Sequence, residues 1–356
     1  MQIKKSYLAL LAVVIAVAAM GVLLWMRLHA APESVRLLPE SDAVAYVNLT
    51  PLRLANVFAS LKKISHDPDY EDFIQQTGFD FERDLDEVAI AVHLPSAEAA
   101  SAPPTPGGPG VAAEARFSEI FKGSFDRERL SGYLHKISRN TEIYRSKEIF
   151  TVPVENRLVR VAVLSGDKVA VSNVESPQVI HDIIDRAPKS GLLLSQPALV
   201  REHYKDVPLG SLAWAVGKYS SSATSSGLSL PGGIDVALPA QTTWVASLRY
   251  AGAIELKAQA LTPTEEDARK VADTLGTLLG IFRSLQNNIG TEGPDADVKS
   301  FFDSLQVTQE GNRAVLNANV PIGFIKKLAR EAPSSVAEKP AGPEPGTAIQ
   351  QKKQKK

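Results

Sequence analysis

The chain has 356 residues, of which 44% are hydrophobic and 22% are charged, and it contains no cysteine. A chain of this length can bury the core of one large domain or of two ordinary ones. Because cysteine is absent, disulfide bonds, thiolate metal sites and cysteine nucleophiles are all excluded.

The net charge of −1 hides an uneven distribution. Residues 1–27 carry three basic side chains and no acidic one, and residues 334–356 carry five lysines against two glutamates. The rest of the chain therefore has 31 basic and 38 acidic residues, a net charge of about −7. Because phosphate recognition needs clustered lysine and arginine, this acidic body argues against nucleic acid as a partner.

Residues 7–26 form the longest apolar stretch, twenty residues without a charge. A helix of that length covers about 30 Å, the thickness of the hydrocarbon core of a bilayer. No later stretch approaches eighteen uncharged apolar residues, so the sequence predicts a single membrane span. Because Lys4 and Lys5 precede the span, we expect the N-terminus in the cytoplasm and the body exported across a bacterial inner membrane.

The alternative fate of this segment is removal as a signal peptide, with secretion of the body after cleavage near Ala30. The candidate junction LHAAPES places Leu28 and Ala30 at the key positions. However, the apolar run is longer than the roughly 7 to 15 residues of a signal peptide, and Leu28 is larger than the residues preferred there. We therefore favour an uncleaved signal anchor that comprises residues 1–27.

The first half of the body, residues 36–205, is predicted to open with a strand at 43–49 and a helix. Thr50 is placed to cap this helix and Pro51 to occupy its first position. Apolar residues at helical spacing then predict an amphipathic helix whose apolar side faces a sheet. These residues are Leu54, Val57, Phe58, Leu61 and Ile64.

A second helix is predicted to begin with Asp67 as its cap. Two strands follow, at 87–94 and 115–125. Between them lies a segment rich in proline, glycine, alanine and serine, residues 95–115. Since this composition cannot bury enough apolar surface to fold, we predict a disordered insertion.

Further along the first half, Asp126 and Ser176 are the predicted N-caps of two helices that enclose a group of strands. Two of these strands are joined by Ser165-Gly166-Asp167, which suits a tight hairpin. The three predicted strands are TEIYRSKEIFTVPV at 141–154, RLVRVAVL at 157–164 and KVAVSNV at 168–174.

The second half of the body, residues 206–332, repeats this order of elements. A strand at 211–219 has the same apolar pattern as the strand at 43–49, and a strand pair follows at 242–250 and 254–261. Each half then ends in a hairpin and a helix. The repeated order predicts an internal duplication.

The clearest helix pattern in the chain covers residues 263–286, where Thr262 and Glu265 form a capping-box start. We expect Gly276 and Gly280 to let this helix approach the sheet closely. One face of the helix is apolar. Its members are Val271, Leu275, Leu278, Phe282 and Leu285.

The chain closes with a predicted hairpin about Gly311-Asn312, a short helix and a disordered basic tail at 333–356. Taken together, the elements predict an α+β fold. An N-terminal transmembrane helix is followed by two related lobes of mostly antiparallel sheet covered by helices.

The segment LLPESDAVAYVNLTPL, residues 37–52, adds a resemblance to this picture. It is similar to the opening of bacterial single-span envelope proteins, whose exported domain starts with a strand that follows Leu-Pro and contains Tyr-Val. The resemblance implies a location and an architecture, and no activity comes with it.

The sharpest catalytic pattern is that of penicillin-binding proteins and serine β-lactamases. Ser60-Leu61-Lys62-Lys63 matches S-x-x-K, with Ser60 as the nucleophile and Lys63 beside it. Ser138-Arg139-Asn140 and Lys189-Ser190-Gly191 match the other two motifs in the right order. However, Ser60 falls late in its predicted helix, and Lys63 lies opposite the apolar stripe. A serine acyl-enzyme is therefore a remote alternative.

Metal candidates are weaker still. His66, Asp67 and Asp69 form an oxygen-rich cluster, but an EF-hand loop needs glycine at its sixth position and glutamate at its twelfth. A helix start explains these acids without a cation, so we predict no metal and no cofactor.

The histidines suggest no ligand set either. His181 and Asp185 are predicted to pair on one helix, and His93 ends a strand. Neither His135 nor His203 shows an acidic or histidine partner at ligand spacing.

The sequence thus predicts a membrane-anchored, exported structural or interaction module of the cell envelope, without catalytic activity. Its predicted contacts are the membrane, through residues 7–26, and another envelope protein. The alternative is a protein that binds lipid or a small ligand in a cleft between the lobes.

Overall fold

The computed structural model describes residues 30–54, 68–94, 116–154, 157–189, 196–219, 228–230, 234–236, 238–250, 253–288 and 296–323. Within these ranges, no helix is both long enough and apolar enough to cross a membrane. The predicted span at 7–26, the insertion at 95–115 and the tail at 333–356 lie outside the described residues.

The strands follow the predicted antiparallel pattern. In chain order they are β1 (Ala43–Asn48), β2 (Leu85–His93), β3 (Arg116–Gly123), β4 (Asn140–Tyr144), β5 (Lys147–Val154), β6 (Arg157–Val163), β7 (Lys168–Ser172), β8 (Ser211–Lys218), β9 (Leu228–Leu230), β10 (Ile234–Val236), β11 (Thr243–Tyr250), β12 (Ile254–Leu261), β13 (Gln306–Glu310) and β14 (Arg313–Val320).

The α-helices lie between groups of strands. They are α1 (Glu33–Leu37), α2 (Thr50–Leu54), α3 (Pro68–Thr77), α4 (Phe81–Asp84), α5 (Arg127–Ile137), α6 (Gln178–Arg186), α7 (Ala198–His203), α8 (Glu265–Asn288) and α9 (Ala296–Ser304). This mixture of helices and antiparallel sheet confirms the predicted α+β class.

Twelve of these strands form one sheet, in the order β13-β14-β12-β11-β8-β1-β2-β3-β7-β6-β5-β4. The two halves of the body meet at β1 and β8, which pair antiparallel from Ala43 opposite Gly217 to Val47 opposite Ala213. Outward from this junction, the first half runs β1-β2-β3-β7-β6 and the second runs β8-β11-β12-β14-β13. The strand order is the same in both halves, apart from the β4–β5 hairpin of the first half, and the duplication stays a prediction.

Most hairpins were predicted correctly, and one was missed. The β6–β7, β11–β12 and β13–β14 pairs are confirmed, and Gly311 takes the positive φ of 59° that its turn requires. The single strand predicted at 141–154 is wrong, because the chain reverses at Arg145 and Ser146 to form the β4–β5 hairpin. Both residues have positive φ, 47° and 61°, although neither is glycine or asparagine.

The first face of the sheet carries the main core, and α1, α6 and α7 pack against it. α1 was not predicted, because the first element expected in the body was the strand at 43–49. Val35, Leu37 and Leu38 of this segment are nevertheless fully buried, and Ser34 Oγ donates a hydrogen bond to Glu87 Oε2 at 3.0 Å. The first described segment is therefore an integral part of the core. The central strands contribute Val44, Tyr46, Ala89, Ala91, Trp214 and Val216 to the same cluster.

The second face of the sheet is covered at its two ends. At one end, α3 and α5 pack together over β5, β6 and β7, where Leu130, Leu134 and Phe150 belong to a second core cluster. At the other end, α8 and α9 pack on β14, and α8 also packs on β13. On the strands between these ends, the side chains of this face are half-buried, as at Val47, Ile90 and Ala215.

Two of the helix caps were predicted correctly. Asp126 Oδ1 accepts a hydrogen bond from the backbone N–H of Arg129 at 3.1 Å, and Ser176 Oγ accepts one from Gln178 at 3.3 Å. The predicted role of Thr50 as a cap is wrong, because Thr50 lies inside α2 and Asn48 Oδ1 accepts its N–H at 3.1 Å.

The predicted cap of the long helix is also wrong. α8 begins at Glu265, and Thr264 Oγ1 accepts the N–H of Asp267 at 3.1 Å. The hydroxyl of Thr262 instead donates a hydrogen bond to the carbonyl of Asn312 at 3.0 Å, so Thr262 is bonded to the β13–β14 turn and does not cap α8.

The expectation for Gly276 and Gly280 is overturned. Both are exposed, and a Cβ built at either position would meet nothing within 4 Å. They therefore point away from the sheet, whereas Val271 on the predicted apolar side is buried.

Two glycine substitutions should have opposite effects on stability. A Cβ at Gly217 would lie 2.5 Å from the Trp244 ring, so Gly217→Ala should destabilise the fold by about 1–3 kcal/mol. Gly276→Ala should stabilise it by about 0.5–1 kcal/mol, because glycine is costly in a helix interior. Urea unfolding of both variants measures this, and equal effects of one sign would contradict the packing described.

Candidate functional site

The predicted serine acyl-enzyme set is only partly described. Ser60 and Lys63 lie outside the described residues, as do Ser190 and Gly191. Ser138 ends α5, and the exposed Asn140 opens β4 at the edge of the sheet. Lys189 ends a 3-10 turn that follows α6. The described members of this set therefore lie on separate elements.

The weak metal candidates are also divided. His66 and Asp67 lie outside the described residues, and Asp69 is exposed in the first turn of α3. Pro68 opens that helix as predicted. Within the described ranges, no group of three or more His, Asp and Glu side chains could hold a metal ion.

His181 and Asp185 do not pair as predicted. His181 Nε2 lies 2.9 Å from Glu142 Oε1, and its ring stacks on Tyr144 with 4.0 Å between the ring centroids. Asp185 instead pairs with Arg145, whose Nε lies 2.7 Å from Oδ1. These contacts hold α6 to the β4–β5 hairpin, because the hairpin brings charges that are distant in sequence next to the helix.

A histidine and a serine on neighbouring strands form an arrangement that the sequence did not predict. His93 Nε2 lies 3.0 Å from Ser118 Oγ, which is itself 3.0 Å from Ser172 Oγ. Burial lowers the pKa of the His93 imidazole, against the opposing attraction of Asp42. A base beside a hydroxyl is the usual beginning of a nucleophilic site. Here Ser118 is fully buried, so no substrate reaches it and the contact holds strands together.

A second polar cluster lies around Asp206, in the turn that connects the two halves. Arg313 Nη1 lies 2.7 Å from Asp206 Oδ1, and His203 Nδ1 lies 3.6 Å from Asp206 Oδ2. Gln259 Nε2 donates to the Asp206 carbonyl at 3.0 Å. Asp206 Oδ2 and His203 Nδ1 are nevertheless buried without a hydrogen bond to any described residue. The bonds from Arg313 and Gln259 fix the turn after α7 to β12 and β14. The His203–Asp206 spacing of three residues was visible in the sequence and was overlooked.

A polar depression of about 280 Å³ lies on the first face of the second half. An ion pair between Arg249 and Glu255 forms part of its wall, with 2.5 Å between Nη2 and Oε2. Lys257, Asn317 and Asn319 also line it. At this end of the sheet the described helices α8 and α9 pack on the second face, so the depression is on the opposite side. It lies within the second half, and at the junction of the halves β1 and β8 are joined directly.

The second face carries a row of small side chains across the middle of the sheet. Ala45, Ala215, Ala246 and Ala258 are adjacent in register on β1, β8, β11 and β12, and all four are half-buried. We refer to these four residues as the alanine row. Since neighbouring strands are about 4.8 Å apart, the row is about 14 Å long. It forms a shallow apolar floor between α3 and α5 on one side and α8 and α9 on the other.

A single carboxyl group lies beyond one end of the alanine row. Ala45 is opposite Ile90, and Ile90 is opposite Glu119 on β3. On the other side, Glu119 faces Val171 of β7. Burial raises the pKa of this carboxyl group. Glu119 is thus an acidic residue between two apolar neighbours, Ile90 and Val171, on the same face of the sheet.

The fold and these sites define an α+β protein built on one twelve-stranded antiparallel sheet, whose described polar clusters are structural. No protein-family profile and no curated protein sequence matches the chain. Among solved structures, it is similar to TP0453 in crystal forms III, I and IV, with TM-scores of 0.45, 0.42 and 0.41 and identities of 9%, 10% and 11%. The matches cover 84% of this chain and 99%, 97% and 96% of the TP0453 chains. Likeness at this level carries no functional argument.

Replacing Glu119 should reveal the cost of its burial. Because the folded protein holds this proton more tightly than the unfolded chain, ionisation of Glu119 destabilises the fold at neutral pH. Glu119→Gln should therefore be more stable than the natural protein at pH 7.5, and the difference should shrink as the pH falls and Glu119 is protonated. Urea unfolding over a pH series measures this difference.

Glu310→Gln is the matched control, since Glu310 is exposed at the end of β13. Its effect should stay within about 0.5 kcal/mol at every pH. A Glu119→Gln difference that does not change with pH would refute the burial argument.

Proposed function

We propose that this protein is a membrane-anchored, exported interaction module of the bacterial cell envelope that works without catalysis. Residues 7–26 are the anchor, and the body acts on the outer side of the inner membrane. The resemblance of residues 37–52 to single-span envelope proteins supports this location. Its partner is another envelope protein.

The observation that carries the proposal is the burial of the chain directly behind the predicted span. Ala31 is only 3% exposed, and α1 belongs to the main core. Cleavage after Ala30 would place a new charged amino group on this buried residue, and burying an unpaired charge is costly. Retention of the span avoids that cost.

The non-catalytic part of the proposal rests on the chemistry of the described clusters. Ser118, whose hydroxyl contacts the His93 ring in the described part of the chain, is inaccessible. The Asp206 and His181 clusters join secondary-structure elements to one another. None of these residues lines the polar depression on the second half.

The natural protein should stay in the membrane with its N-terminus intact. We expect it to resist extraction by alkaline carbonate, and peptide mass spectrometry should detect the segment before Arg27. Val14→Lys should reduce membrane retention, because a lysine at the centre of a span costs roughly 2.5–3.5 kcal/mol.

Ala30→Leu is the control for cleavage, since it blocks a signal-peptidase junction. It should change neither the size nor the location of the protein. A mature chain that begins at Ala31, or a size change in Ala30→Leu, would contradict the anchor.

A second candidate function is the binding of a lipid acyl chain on the alanine row. This floor lies between the helices at the two ends of the second face and presents no polar side chain of its own. The bilayer next to the body supplies acyl chains. Glu119 lies two strands beyond Ala45, where a protonated carboxyl can donate a hydrogen bond to a polar head group.

Native mass spectrometry of the detergent-purified protein tests this candidate. The natural protein should retain one phospholipid, and Ala215→Phe should lose it because the ring fills the middle of the row. Thr308→Phe adds the same ring at an exposed position of β13 on the first face and should keep the lipid. Equal lipid content in all three proteins would exclude binding at this place.

A further inference from the structure

We propose that one end of the sheet faces the bilayer surface, so that the body is held against the membrane in a fixed orientation. This inference rests on the proposed anchor. It concerns the end at which β2 and β8 begin and β11 ends, which we call the proximal end. The opposite end of the same strands is the distal end.

The first argument is the length of chain between the span and the core. The predicted span ends at Met26, and Ala31 is already buried. Five residues reach at most about 18 Å even when fully extended. The body therefore cannot move far from the bilayer or tumble freely beside it.

The second argument is the place where the chain enters the body. Glu33, the first residue of α1, lies 3.5 Å from Lys168 at the start of β7, measured between Oε2 and Nζ. Its neighbour Ser34 hydrogen-bonds Glu87 near the start of β2. α1 therefore begins at the proximal end, and the chain then runs toward the distal end, where β1 starts. The span must lie beyond the proximal end.

The surface of the proximal end is compatible with contact to lipid. Phe81, Leu209 and Tyr250 lie just before β2, just before β8 and at the end of β11. Their exposed fractions are 37%, 53% and 59%. Tyrosine is enriched at the membrane interface. A phospholipid surface is the partner that fits these side chains and the short connection. Leu94, Val154 and Leu158, at the distal ends of β2, β5 and β6, are also 39%, 48% and 46% exposed, so the short connection and the entry of α1 choose between the two ends.

Single cysteines test this orientation cleanly, because the natural chain has none. Leu209→Cys and Lys218→Cys place a fluorophore near the two ends of β8, which are about 23 Å apart. Tyr250→Cys and Leu94→Cys repeat the comparison on β11 and β2. Each full-length variant is reconstituted into phosphatidylcholine vesicles that contain lipid with a quencher on its head group.

The fluorophores at Leu209 and Tyr250 should lose most of their emission, and those at Lys218 and Leu94 should lose little. Insertion of about twelve Gly and Ser residues after Arg27 should abolish this difference, because a flexible linker lets the body leave the surface. Circular dichroism checks that each variant is folded, and Phe81→Cys replaces a proximal variant that is not.

The outcomes separate the two proposals. If the protein does not float with the vesicles, the anchor itself is wrong. If it floats, and the distal fluorophores are quenched as much as the proximal ones or more, the proposed orientation is wrong and the anchor is unaffected. If the difference persists after the linker is inserted, the short connection is not its cause, and the inference also fails.

Discussion

The whole sheet depends on the pairing of β1 with β8. These strands belong to different halves of the chain, and their backbone hydrogen bonds turn two smaller sheets into one of twelve strands. Tyr46 and Trp214 are opposite each other in this pair, with 5.8 Å between their ring centroids, on the face that α1 and α7 cover. The junction is therefore part of the main core. Separating the halves would expose both aromatic rings and leave two unpaired strand edges.

Local chemistry explains which parts of the fold could be predicted from the sequence. Turns with glycine, such as the one at Gly311, were recognisable, whereas the reversal at Arg145 and Ser146 lacks the residues that normally mark it. Thr262 and Thr264 both precede an acidic residue by three positions. Thr264 is the one that caps α8, because the hydroxyl of Thr262 is bonded to Asn312, some fifty residues away. Such choices depend on tertiary contacts that local spacing does not contain.

The polar clusters show the same limit. His93 and Ser118 are separated by the insertion at 95–115, so their contact follows only from the register of β2 and β3. By contrast, Asp206 follows His203 by three residues, and Glu119 is the only acidic residue within the strand sequence RFSEIF. Both signals were present in the sequence. What the sequence did not show is which groups are buried, and burial is what makes the described clusters structural.

The two outer strands of the sheet have a consequence for solubility. Among the described strands, β4 and β13 end the sheet, and each leaves a backbone edge without a described partner that another chain could extend. Both are only five residues long, and β13 has the polar sequence QVTQE. β4 is less protected, because Ile143 is 74% exposed on it. At high protein concentration, lateral association should therefore begin at β4 rather than at β13.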